Sequence, residues 1–135
     1  HPANYPYLSV CTTSTHDMNP IRAWWEEDRQ VTNDFWQMIL GNQGEAPYFC
    51  ESWICRQILE QHVWSPAMLT ILPLQDWLSM DAHLRREDPN AERINVPANS
   101  RHYWRYRMHL TLEQLAAADE FNQALTDMIA ASGRC

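Results

Sequence analysis

Pro66 and Pro73 bracket the run Ala67-Met68-Leu69-Thr70-Ile71-Leu72, and this run limits the fold more than any other feature of the chain. It has strand length and is nearly continuously apolar, the pattern of a strand buried on both faces of a parallel sheet. Such a strand needs neighbours on either side and helices above and below. The other strand-like segment is Leu8-Ser9-Val10-Cys11-Thr12, which alternates apolar and polar and runs into the polar turn Thr13-Ser14-Thr15-His16-Asp17.

Helical spacing fills the interval. Asn19-Pro20 reads as a cap with proline at the first helical position, followed by Ile21, Trp24 and Trp25 on one face. A second short helix is expected over 33–40, closed by Gly41. A third is expected from about 47 to 64, where Phe49, Cys50, Trp53, Ile54, Ile58, Leu59 and Val63 recur at three- and four-residue steps. After the apolar strand, Leu74, Trp77, Leu78 and Met80 predict a helix over 74–86, and 87–100 is a loop holding Pro89 and Pro97. Thr111-Leu112-Glu113-Gln114 is a capping box. It opens a last helix with the stripe Leu112, Leu115, Phe121, Leu125, Met128 and Ile129, ended at Ser132-Gly133.

Strand, helices, strand, helix is one right-handed βαβ unit. One unit leaves sheet edges unpaired. The expected class is α/β, mainly helical with two short parallel strands, and with the sheet incomplete.

Charge excludes some partners. All ten positive charges among the 135 residues are Arg, scattered among seventeen acids for a net charge of −7. Nucleic acid and anionic membranes, which require a clustered basic face, are therefore not expected partners. No segment is apolar enough for a membrane span. The chain starts His1-Pro2-Ala3-Asn4, with no Met and no secretory pattern, and so reads as a cytoplasmic fragment. Cys11, Cys50, Cys55 and Cys135 form no C-x-x-C motif, and Cys50 and Cys55 are expected on different faces of one helix; reduced, packed thiols follow.

The turn Ser14-Thr15-His16-Asp17 places an imidazole beside a carboxylate just past a strand. Asp and Thr also favour turns for purely local hydrogen bonds. With glycine only at 41, 44 and 133, the chain has neither a nucleophile elbow nor a phosphate-cradling loop. His16, His62, His83, His102 and His109 lack metal-site spacing, so no metal and no cofactor are expected. The compositional excess is aromatic: seven Trp, five Tyr and three Phe. Trp24, Trp53 and Trp77 lie at core spacing. Others are free to act as flat platforms for the C–H faces of sugar rings, with Asp, Asn, His and Arg bonding the hydroxyls.

Four motifs occur in order: Thr15-His16-Asp17, Leu72-Pro73-Leu74-Gln75-Asp76, Arg93-Ile94-Asn95-Val96-Pro97 and Tyr103-Trp104-Arg105-Tyr106-Arg107. Over roughly residues 7 to 130 the chain resembles the C-terminal end of the catalytic domain of the 4-α-glucanotransferases, the amylomaltase or disproportionating-enzyme family (glycoside hydrolase family 77). His102-Tyr103-Trp104-Arg105-Tyr106-Arg107 is similar to the larger bacterial and plant cytosolic branch. Ala98 stands where the family usually has Gly after Asn-x-Pro.

The resemblance implies that residues 1–135 are the C-terminal portion of one (β/α)8 TIM-type barrel, with the two strands as its seventh and eighth. A whole barrel typically takes about 250 residues. It also implies transfer of α-1,4-glucan segments between maltooligosaccharides or starch-type glucans by retaining double displacement, through a glycosyl-enzyme. Asp17 falls on the family's transition-state-stabilising carboxylate and His16 on its sugar-binding neighbour. Gln75, Asp76, Asn95, Pro97 and Trp104 fall on substrate-binding positions. The nucleophile Asp and the acid/base Glu belong to earlier strands, so this chain alone is expected to be inactive, its partner being the remainder of the barrel. Two other readings follow from the residues: a non-catalytic helical module that self-associates through exposed apolar faces, and a small carbohydrate-binding module.

Overall fold

Val10 and Cys11 (β1) pair in parallel with Leu69 and Thr70 (β2), in the register Val10 to Leu69 and Cys11 to Thr70. Flanking amides extend the ladder: Met68 N donates to the Tyr7 carbonyl at 2.7 Å and Ile71 N to the Cys11 carbonyl at 2.9 Å. These contacts belong to a computed structural model that describes residues 1–134; the Cys135 thiol expectation lies outside the described residues. The helices are α1 (Ile21–Trp25), α2 (Arg29–Met38), α3 (Ser52–Val63), α4 (Leu74–Ser79), α5 (Leu112–Ala116) and α6 (Asp119–Ala131). Single-turn 3-10 segments span Pro2–Asn4 and Pro89–Glu92.

The core forms where α1, α2 and α3 converge. Trp25, Ile54, Cys55 and Leu59 are fully enclosed, joined by Trp36, Leu40, Ile58 and Val63, with Met128 arriving from α6. Thr32, buried with them, donates its hydroxyl to the Trp25 carbonyl at 2.6 Å, which ties α2 to the end of α1. The Arg134 guanidinium clamps the end of the chain to the α3–β2 connection through the carbonyls of Val63, Ser65 and Ala67.

Several boundaries differ from the sequence expectations, each for a local reason. Helix α2 begins four residues earlier than expected because the Asp28 carboxylate accepts from the amides of Gln30 and Val31. Helix α3 begins at Ser52, so Cys50 lies in the lead-in rather than on the helix. Its sulfur comes within 3.4 Å of Cys55 Sγ, which corrects the placement of the two thiols on different faces. The expected last helix breaks at Ala117-Ala118 into α5 and α6. The Thr111–Gln114 capping box is present in full. Trp53 is 53% exposed, while Trp25 and Trp36 take the core positions expected of other tryptophans.

The largest departure concerns the segment that most limits the fold. Strand β2 is only Leu69–Thr70, and Met68, Leu69 and Ile71 are open on the surface, as are Leu8 and Val10 beside them. An apolar strand made for two covering layers has, among the described residues, one neighbouring strand and bare edges.

Candidate functional site

The chain leaving β1 turns sharply over 12–19 before entering α1, and a single buried carboxylate holds this turn. Asp76, fully enclosed at the start of α4, accepts from the Thr13 hydroxyl at 2.5 Å, the Ser14 hydroxyl at 2.9 Å and the Ile21 amide at 2.8 Å. The last bond satisfies the first orphan amide of α1, which the cap at Asn19-Pro20 was expected to serve; Pro20 is the N-cap and its ring carries no hydrogen-bond acceptor. Burial pushes the Asp76 carboxyl up, while the three donors pull it back. With both oxygens accepting from the turn and from α1, Asp76 organises the segment that carries His16 and Asp17.

What the turn displays is the pair His16 and Asp17. The His16 Nε2 lies 3.3 Å from Asp17 Oδ1, and both side chains are half-exposed. The loop after the Pro89–Glu92 turn folds back onto this pair. Asn95 donates its side-chain amide to Asp17 Oδ1 at 2.6 Å and its backbone amide to the His16 carbonyl at 3.0 Å. Arg93 fixes that loop by donating to the Asn95 carbonyl and to the Asn19 side chain, both at 2.9 Å. Trp104 completes the group, its ring 4.9 Å from the His16 imidazole at a tilt of 46°. It remains 62% exposed, so an aromatic face is open to solvent beside a carboxylate, an imidazole and an amide.

Four expected site residues, His16, Asp17, Asn95 and Trp104, therefore meet from three separated stretches of chain. Two others lie at the periphery. Gln75 is buried behind the turn, donating to the Glu92 carbonyl at 3.3 Å and lining a cavity of about 30 Å³ with Thr15, His16 and Glu92. Pro97 is exposed, two residues beyond Asn95. Thr13, Ser14 and Glu92 were missed by the sequence reading. Spacing alone offers no signal that hydroxyls at 13 and 14 serve a carboxylate at 76.

A larger cavity, about 400 Å³, opens on the other side of the turn between Met18, Trp24, Phe35 and Ile58, with Glu27, His62 and Arg93 at its wall. Among the described residues, no three His, Cys, Asp or Glu side chains converge as a metal site would require. No helix of the described residues is long and apolar enough to cross a membrane.

Comparison with known proteins places this geometry in context. Residues 1–112 match the family model described as 4-alpha-glucanotransferase, glycoside hydrolase family 77. The chain is 37% identical over 133 residues to "4-alpha-glucanotransferase DPE2" of Oryza sativa subsp. japonica, covering 98% of this chain and 14% of that protein. It is 30% identical over 125 residues to the 4-alpha-glucanotransferase of Chlamydia muridarum, covering 92% of this chain and 23% of that protein. The chain thus spans about a seventh to a quarter of the length of these relatives. Among solved structures it is similar to the amylomaltase from Streptococcus agalactiae in complex with acarbose, with a TM-score of 0.70 at 20% identity, over 98% of this chain and 23% of that one. Its mostly helical arrangement with two short parallel strands is that of a portion of the amylomaltase barrel.

Proposed function

Because this chain belongs to the 4-alpha-glucanotransferase family, we propose that it forms one wall of the sugar cleft of an enzyme that moves α-1,4-glucan segments between maltooligosaccharide or starch-type chains. The observation that carries this reading is the junction of Asp17, His16, Asn95 and Trp104 at one open edge. Asp17 takes the hydroxyls of the donor ring and strengthens those bonds as the ring flattens towards an oxocarbenium-like state, which is stabilisation of the transition state over the ground state. His16 holds the same ring from the adjoining side. Trp104 offers a face for its C–H surface. Asn95 keeps the Asp17 carboxylate aimed, and Pro97 flanks the acceptor side. Gln75 supports the turn from behind.

The nucleophile and the acid/base belong to the remainder of the barrel, which on this reading is the chain's principal partner. The open faces and edges of β1 and β2 support that assignment, since Leu8, Val10, Leu69 and Ile71 are exposed apolar side chains. The free, buried thiols Cys11, Cys50 and Cys55 support a cytoplasmic setting.

The test is maltotriose disproportionation. A full-length protein containing this chain builds a ladder of longer and shorter maltooligosaccharides, and the 135-residue chain by itself builds none. A full-length protein that leaves maltotriose untouched, or only hydrolyses it, contradicts the proposal.

A further inference from the structure

Behind the site lies a buried carboxylate with no bonding partner. Glu92 closes the short turn Pro89–Glu92, is 1% exposed, and has no hydrogen bond to either carboxylate oxygen. Charged groups face it from every side. Arg22 of α1 stands 3.9 Å away, but its guanidinium is committed to the carbonyls of Arg86 and Glu87. Asp76 of α4 and Arg86 of the loop after α4 also act on its charge, Asp76 raising and Arg86 lowering its carboxyl. Tyr106 faces it from the extended segment 103–107, and the Tyr106 hydroxyl is also buried without a partner.

Arg86 donates to the carbonyls of both Ala91 at 3.2 Å and Arg107 at 3.3 Å, so the two segments meet, and each brings a buried polar group without a partner, which is costly on both sides. The position of the pair makes this matter. Tyr106 is two residues from Trp104, whose ring packs on His16. Glu92 also shares with His16 the small cavity behind the turn, large enough for about one water molecule.

We propose that Glu92 is a positioning residue: its carboxylate accepts the Tyr106 hydroxyl and, through Tyr106, holds Trp104 against His16, so that the ionisation of Glu92 sets the aromatic wall of the site. An ionised acceptor makes the stronger bond, so the wall is tightest when Glu92 is charged. Burial raises the Glu92 carboxyl to about 7, with Asp76 pushing the same way and Arg22 and Arg86 opposing, so the change falls near neutral pH. The functional consequence rests on the reading of His16 and Trp104 as sugar-facing groups, but the link from Glu92 to Trp104 does not.

The test uses the full-length protein that contains this chain, without any glucan. Indole N–H cross-peaks are followed by NMR across neutral pH, with the Trp104 peak identified by its loss in Trp104→Phe. In the unaltered chain the Trp104 peak moves with a midpoint near 7; in Glu92→Gln and in Tyr106→Phe that movement loses at least half its amplitude. The same comparison in a His16→Gln background removes any contribution from the imidazole. Equal amplitude and midpoint in the unaltered chain and Glu92→Gln overturns the proposal, and an unaffected Tyr106→Phe overturns the route through Tyr106. Should Glu92→Gln lose its fold by circular dichroism, Tyr106→Phe decides alone. Failure here leaves the glucan reading standing, and a protein inactive on maltotriose leaves this link standing.

Discussion

Asn95 donates its side-chain amide to Asp17 at 2.6 Å across 78 positions of sequence, joining the turn after the first strand to a loop far downstream. A charged acceptor makes this one of the stronger hydrogen bonds in the molecule. It holds one oxygen of Asp17 in place and leaves the other free for a ligand.

Removing that donor unaims the carboxylate without deleting it. Asn95→Ala in the full-length protein is expected to lower turnover about 10- to 100-fold, the equivalent of one charged hydrogen bond lost at the transition state. The fall appears in kcat, with KM changed by less, because the interaction matters most as charge develops on the ring. Initial-rate measurements on maltotriose check this.

Asp76 is the keystone of the same turn. Asp76→Ala strands the Thr13 and Ser14 hydroxyls and the first amide of α1, with an expected loss of about 2–4 kcal/mol. Ser14→Ala removes one donor of three and is expected to cost about 1 kcal/mol. Urea denaturation of the 135-residue chain, comparing midpoints, separates the two.

Glu92 predicts a pH dependence of stability. Its folded carboxyl titrates at about 7, above the ordinary 4.5, so over that interval the folded chain keeps a proton that the unfolded chain has released. Stability from this group is fully present below about 4.5, falls as pH rises, and levels off above about 7. Gln at this position stays neutral throughout. Glu92→Gln is therefore expected to match the unaltered chain near pH 4.5 and to exceed it by about 1–3 kcal/mol near pH 8. Denaturation midpoints at the two pH values test the sign.

The thiols Cys50 and Cys55 touch each other inside the core, at 3.4 Å, and both are enclosed. The shared hydrogen bond lowers the Cys55 thiol, while burial, aided by that same bond, raises that of Cys50. Access controls their reaction more than ionisation does. Iodoacetamide is expected to leave both unmodified in the folded chain and to modify both in denaturant, as peptide mass mapping would show. Rapid modification of either in the folded chain would contradict the packing described.

The parts of the fold carried by local chemistry were legible in the sequence. The Thr111–Gln114 box needs only its own side chains, and Gly41 and Gly133, at φ of 71° and 74°, end helices as a residue without a Cβ does. Expectations failed where a distant residue decides. The start of α1 is capped by a carboxylate 55 positions away, which no window around Asn19-Pro20 contains. Cys50 fits a helical period yet sits outside the helix, with Arg85 donating to its carbonyl at 2.9 Å. The order of the motifs named His16, Asp17, Asn95 and Trp104, and these four side chains meet in space. A motif does not give the direction each side chain takes: nothing around Gln75-Asp76 shows that the Asp76 carboxylate accepts from Thr13, Ser14 and Ile21.

On the proposed reading, Asp17 binds the donor ring most tightly at the transition state. The most direct test of this reading is the kinetics of Asp17→Ala in the full-length protein, with maltotriose as donor and acceptor. In this variant kcat is expected to fall at least about 100-fold while KM stays within a few-fold, with thermal stability retained because the side chain is half-exposed. Ordinary disproportionation by Asp17→Ala, or a loss confined to KM, would contradict it.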